Sequence, residues 1–393
     1  MNEPYRAYRM TQTTHTESPE KNRHLLSPSK LINLSRQRPL SARLIIDMVL
    51  QVALVLAVLQ VALGQSYDEG FAVKLLDAAA AAYPTNDTIA EICLDKAFNS
   101  TFNVLSSATA QCGKKTGDSC KSYMAVSDEM EVFIIGIRGT EGFTQLWDEA
   151  KSGLGDSVAM SDYGFSSKSD VRGVSYFLKA ANDIYKTLAV EENLGNKPGY
   201  KVYVTGHSLG GALAALISKK IVFEGKRAKD QVFLVTFGEP RVGNYKFSVE
   251  FKQQVPYSFR VVHGQDPIPH VPTCGDGIDM FTSNCNTAEG WYHHATEVWY
   301  YNLTTAMNRG YYRTCDSNNG EDPTCSNSVP ALKRFWKDFI LNEGKDMHLH
   351  YFNHFISEYG MAGCVDTKGA STTKGVHIVA LFVFTALVTL LFR

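Results

Sequence analysis

The chain has 393 residues, 44% of them hydrophobic, and a formal net charge of −1. That is enough apolar material for one large core or two modest ones, which excludes a disordered tail. A charge so near zero offers no basic field, so binding to a nucleic-acid backbone is excluded as the main activity.

Residues 1–47 are polar, rich in Ser, Thr and Arg, and lack any apolar period, so they read as an unstructured extension. An apolar run from Val49 to Leu63 follows, interrupted only by Gln51 and Gln60. It is short for a membrane span, and the small residues Ala62 and Gly64 fit a signal-peptidase site. Residues 48–64 therefore read as a signal peptide, with Met48 as an alternative start that would remove the extension; a signal anchor is the other reading.

From 65 to 368 there is no linker and no repeat, which predicts one domain. Short β-branched runs at Met130–Ile137, Tyr200–Thr205, Val232–Phe237, Phe259–Val262 and Val298–Tyr301 read as buried strands. Helical stretches at Val174–Val190, Gly211–Phe223 and Ala331–Leu341 alternate with them. Alternation of this kind predicts an α/β sheet with helices on its faces and a site at the strand ends. All eight cysteines lie after the first apolar run, which suits disulfides in an oxidising compartment. Many pairings are open; close spacing favours Cys112 with Cys120, Cys274 with Cys285 and Cys315 with Cys325, leaving Cys93 with Cys364. Asn86, Asn99 and Asn302 open Asn-x-Ser/Thr sequons and are candidate glycan sites.

In the last segment, 369–393, the small residues Gly369-Ala370-Ser371 precede an apolar run from Val376 to Phe392. That layout fits a signal for a GPI anchor, with a retained single span as the alternative. Either one tethers the globular part on the outer cell surface.

Tyr200–Thr205 reads as a strand, and Gly210–Leu216 opens a helix of small and apolar residues. Between them stands Gly206-His207-Ser208-Leu209-Gly210. The flanking glycines permit the sharp strand-to-helix turn that lifts a nucleophilic Ser208 Oγ above a sheet. An ester hydrolase also needs a base and a buried carboxylate, which in this fold follow in the order Ser, acid, His. Ser208, Asp266 and His293 satisfy that order. Asp266 follows a strand, whereas Asp276 and Asp279 sit in a Gly-rich loop; His294 is the alternative to its neighbour.

Gly206–Ala214 resembles the nucleophile elbow of the class 3 (fungal lipase-like) lipases, an α/β-hydrolase family. Ile137-Arg138-Gly139-Thr140, Phe237–Gly243, Asp266–Pro272, His293–Trp299 and His348–Phe352 resemble its later segments in order. The resemblance implies a mostly parallel sheet flanked by helices, a lid over the site, and acylglycerol ester hydrolysis without cofactor. It also implies that His293, four residues before Glu297 and six before Trp299, is the base, with His348 a structural residue at the domain's end. The oxyanion would be held by the N–H of Leu209 and by Thr140. A lid between about Phe143 and Arg172, carrying Leu146, Trp147, Leu154, Val158, Met160 and Phe165, would suit a lipid–water interface. Gly173–Phe177 departs from the family's His-x-Gly-Phe stretch, which leaves phospholipase or small-ester esterase activity as alternatives. A non-catalytic surface module on a hydrolase scaffold is the competing reading from another class. His348, His350 and His354 invite a metal reading, but no accompanying carboxylate motif supports one, and no metal is expected.

Overall fold

The computed structural model describes residues 66–112, 119–139, 157–274, 285, 290–304, 306–330 and 343–366, together with 46–48, 50 and 51. The chain divides into two units, Met1–Val61 and Ala62–Arg393. In the first, the described residues are helical, so helix begins by Ile46, inside the expected extension.

The second unit is built on an eight-stranded sheet whose spatial order follows the chain. Its strands are β1 (Asn103–Gln111), β2 (Ser119–Ser127), β3 (Val132–Ile137), β4 (Lys201–His207), β5 (Val232–Phe237), β6 (Tyr257–His263), β7 (Glu297–Tyr300) and β8 (Arg313–Thr314). β3 to β7 run parallel; β1, β2 and β8 are antiparallel additions at the two edges. The helices are α1 (Glu69–Ala80), α2 (Asp87–Phe98), α3 (Ser175–Thr187), α4 (Leu209–Phe223), α5 (Tyr245–Gln254), α6 (Glu343–Leu349) and α7 (Ile356–Met361), besides a short turn of helix at Val190–Asn196.

Alternation along each strand divides the core into two layers. Phe133, Ile135, Val202, Val204 and Leu234 point to the side covered by α3, α4 and α5. Val132, Ile134, Val235, Phe237 and Val261 point to the side covered by α1, α2 and α7. This two-residue period with both faces apolar explains why the parallel strands read as near-continuous hydrophobic runs. α4 is buried from Leu209 to Ile221, and its small residues let it lie directly on the sheet. Burying each of its Leu and Ile side chains contributes about 1.5–3 kcal/mol.

Four disulfides join Cys93 to Cys364, Cys112 to Cys120, Cys274 to Cys285 and Cys315 to Cys325. The first closes a loop of 271 residues and so restricts the unfolded chain most.

Of the expected lid, residues 143–156 lie outside the described residues, as does the expected helix Ala331–Leu341. The remainder, from Ser157 to Arg172, is built into the body rather than laid over it. Ser157–Ala159 pairs with Arg172–Val174 in a small second sheet, and Met160 and Phe165 are fully buried. Lys219 Nζ, buried in α4, donates to the Phe165 carbonyl at 2.7 Å and to Glu250 of α5 at 2.6 Å. Of the apolar anchors expected in a cover, Met160 and Phe165 are therefore core residues, and Val158 is partly buried against the core.

Candidate active site

β4 ends at His207 and α4 begins at Leu209, so Ser208 occupies the turn alone, with φ 59° and ψ −132°. A non-glycine residue in that region is strained and persists because its surroundings fix it. The Ser208 N–H donates to the Phe237 carbonyl at 2.8 Å, and its own carbonyl accepts from Gly211 at 2.9 Å. The glycines are needed for space: a Cβ on Gly206 would lie 2.3 Å from the Gly210 oxygen, and one on Gly210 would lie 2.2 Å from the Ile137 oxygen. Leu209 is the first helical residue, so its N–H is one of the helix donors without an intrahelical acceptor. Gly139, at the end of the segment after β3, approaches so closely that its Cβ would lie 3.5 Å from Ser208 Oγ. Thr140 follows it but lies outside the described residues, as do Asp276 and Asp279.

Asp266 stands three residues beyond β6 and is fully buried. His348 Nδ1 donates to its two oxygens at 3.0 and 2.9 Å, Tyr351 Oη to Oδ2 at 2.6 Å, and the Ile268 N–H to Oδ1 at 2.9 Å. Burial alone would raise the Asp266 pKa. The charge and hydrogen bond of His348 outweigh it, helped by Tyr351 and Ile268, and the carboxyl is held below its ordinary value. Gly238, at φ 61°, leaves room for this pair: a Cβ there would lie 2.7 Å from Asp266 Oδ2 and 2.9 Å from His348 Nδ1.

His207, the residue before the nucleophile, ties the elbow to the same histidine. Its Nε2 donates to the His348 carbonyl at 2.7 Å, which leaves Nδ1 to accept from Tyr83 Oη at 2.8 Å. Burial pushes its pKa down to about 3, with the neighbouring His348 acting in the same direction, so His207 is neutral. The two rings lie 4.6 Å apart. Ser208 itself is buried, and among the described residues its Oγ has no hydrogen-bond partner, a looseness compatible with a catalytic group without substrate.

The expected base, His293, is not part of this cluster. Its Nε2 donates to the Pro269 carbonyl at 2.6 Å, and its N–H donates to Glu321. Among the described residues its Nδ1 has no hydrogen-bond partner. Burial, then the nearby Arg260 and Arg241 guanidiniums, hold its pKa well below the ordinary value. A triad histidine must become an imidazolium during the reaction, and two neighbouring cations oppose that charge. His294 is bound instead to Glu239, through Nε2 at 2.9 Å. Sequence reasoning thus missed His348, Tyr351, His207 and Tyr83. The signal within reach was His348 three residues before Tyr351, late in the chain, where the Ser–acid–His order still holds.

Sheet order, elbow and the carboxylate-bound histidine together define a serine hydrolase of the α/β-hydrolase fold. The pattern of the family Lipase (class 3) matches residues 134–276. A lipase of Caenorhabditis elegans is 34% identical over 325 residues, covering 79% of this chain and 87% of the relative. A Rhizopus niveus lipase is 30% identical over 234 residues, 56% of this chain and 51% of its own length, so the match spans about half of that relative. Among solved structures, one titled as a triacylglycerol lipase whose catalytic centre is a serine protease triad aligns with a TM-score of 0.53 at 22% identity, covering 72% of this chain and 93% of that one. The chain belongs to the class 3 lipase family and is a serine carboxylic ester hydrolase.

Proposed function

We propose that the chain is an extracellular triacylglycerol lipase working through an acyl-enzyme on Ser208, with His348 as base and Asp266 as its orienting carboxylate. The observation that carries this reading is the Asp266–His348 pair joined, through the His348 carbonyl and His207, to the residue next to Ser208. His348 Nε2 takes the Oγ proton as Ser208 attacks the ester carbonyl, and Asp266 stabilises the imidazolium. The tetrahedral oxyanion is received by the Leu209 N–H and by Thr140 in the segment that Gly139 brings against Ser208. His348 then protonates the leaving glyceride alcohol, and water repeats the sequence on the acyl-enzyme. No cofactor or metal enters these steps.

Acylglycerol as substrate is supported by membership of the lipase family and by the likeness to the solved triacylglycerol lipase. The test compares the full chain with its Ser208→Ala variant on tributyrin, triolein and phosphatidylcholine. A loss on the order of 10⁴-fold or more on the triacylglycerols is expected. Equal activity of the two proteins overturns the assignment, and faster turnover of phosphatidylcholine replaces the substrate class.

An export signal at 48–64 and an apolar tail at 369–393, as GPI signal or single span, are part of the same proposal. Both lie almost wholly outside the described residues; among those, no helix is long and apolar enough to cross a membrane. Four disulfides support an oxidising destination. Asn86 and Asn99 are exposed at the two ends of α2, Asn86 as its cap with Oδ1 accepting the Thr88 N–H, whereas Asn302 Nδ2 donates to the Ala306 carbonyl.

A further inference from the structure

α1 does not cover the whole of its side of the sheet. Beyond its first turn, the opening residues of β4, β5 and β6 form the floor of a cleft of about 280 Å³. Tyr203, Phe233, Tyr257 and Phe259 contribute from the strands, and Tyr67 and Phe71 form the wall at the start of α1. Each of these six rings is only partly buried. They meet mostly edge to face, as in Phe71 with Tyr203 at 5.0 Å and Tyr203 with Phe233 at 5.5 Å. Six aromatic side chains gathered in one partly open hollow retain water-facing apolar surface that a ligand would cover.

The charges at the rim are unequal in what they are free to do. The Asp68 carboxylate accepts the Phe71 N–H at 3.0 Å as the cap of α1, and Glu69 beside it accepts from Tyr300 Oη and the Gly310 N–H. Both acids are engaged by the protein. Lys201 is exposed, lies with Nζ 5.7 Å from the centre of the Phe233 ring, and forms no ion pair among the described residues. Lys201, which no carboxylate pairs with among the described residues, offers an anionic head a partner at the lip of an aromatic hollow, while the Asp68 and Glu69 carboxylates keep their charge but are directed to the Phe71 N–H and to Tyr300 and Gly310.

The cleft is also remote from the reaction. It opens at the beginnings of β4 and β6, whereas Ser208 follows the end of β4 and Asp266 the end of β6. A seven-residue strand separates the two by about 20 Å. At 280 Å³ it is at the small end of ligand sites, suited to an acyl chain rather than to a whole triacylglycerol. We infer that this aromatic cleft is a second lipid site, which binds a fatty carboxylate with its chain on the rings and its head at Lys201. It rests on the lipase reading only for the origin of the ligand, since ester hydrolysis releases that chemical class.

The test uses the full chain treated with an alkyl phosphonate that blocks the catalytic serine, titrated calorimetrically with oleate and with oleyl alcohol below their aggregation concentrations. Phosphonate attachment, read by mass, reports on the nucleophile separately. Blocked protein is expected to bind one oleate, and the exposed substitution Lys201→Glu to weaken oleate at least about tenfold while leaving oleyl alcohol within about twofold. No oleate binding to blocked protein overturns the site, as does a Lys201→Glu variant that binds oleate unchanged. Equal weakening of oleate and the alcohol overturns the role of the carboxylate head.

Discussion

Two histidines in this molecule each meet a buried carboxylate at 2.9 Å, His348 with Asp266 and His294 with Glu239. The bond length is the same, and the surroundings are not. Glu239 gives its other oxygen to Thr236 Oγ1 at 2.5 Å, the His294 ring lies 4.1 Å from that of Phe251, and its second nitrogen faces the Ala295 carbonyl. Every polar atom there is committed to holding β5, α5 and the approach to β7 together. His348 is set by contrast against His207, one residue from a strained serine, with Asp266 held from three directions. A histidine–carboxylate pair therefore marks a reaction centre only when a nucleophile stands beside it.

The sharpest way to break this comparison is to remove each ring in turn. His348→Ala is expected to lower kcat/KM on a soluble ester by on the order of 10⁴-fold or more while leaving the fold intact. His293→Ala and His294→Ala should stay within about tenfold of the parent at low temperature. The latter should unfold more easily by about 1–3 kcal/mol, because Glu239 keeps Thr236 but loses its second buried partner. Ester kinetics beside urea melts decide the matter; a folded, inactive His293→Ala next to an active His348→Ala would restore the assignment made from sequence.

A smaller effect tests how Asp266 is held. Tyr351→Phe removes one charged hydrogen bond, worth about 1.5–3 kcal/mol, and is expected to reduce kcat about tenfold. Because that hydroxyl helps to keep the Asp266 pKa low, its loss moves the pKa up, and activity on the acid side should fail at a higher pH than in the parent. An unchanged acid limb in a pH–rate profile would show that Tyr351 packs without orienting.

The smallest effect lies away from both pairs, at Asp77 in α1. Burial raises this carboxyl from 3.8 to about 6 despite a hydrogen bond from Tyr359. Between those values the folded chain keeps a proton that the unfolded chain releases, so its contribution to stability is full below 3.8 and lost as pH rises through 6. Asp77→Asn is expected to remove that slope, making the variant the more stable of the two at pH 8 by at most about 3 kcal/mol. Neutral, buried His207 acts in the opposite sense, losing stability as pH falls from 6.5 toward 3. The difference between the variant and the parent in urea melts at pH 5 and 8 isolates Asp77.

The elbow was readable because its determinants are local: a strand, five residues of required size, and a helix. Asp266 was readable because it follows a strand end. The histidine proposed as base was not, since chain order admits both His293 and His348, and the choice depends on which ring reaches Asp266 in space. The Glu297 and Trp299 register that favoured His293 serves packing instead. Glu297 accepts from the Ser326 N–H, and Trp299 Nε1 donates to the Gly264 carbonyl. The pinning of Ser157–Arg172 was likewise settled by partners distant in sequence, such as Lys219 of α4.

His348 arrives on a strap that follows the last sheet strand. That strap is secured at its far end, where Gly360 packs on Ala80, Lys96 donates to the Cys364 carbonyl, and Cys364 is joined to Cys93. A chain made from its N-terminus therefore finishes its nucleophile turn long before its base exists. On the proposed assignment, catalytic competence waits for the C-terminal strap, which the Cys93–Cys364 disulfide fastens to α2.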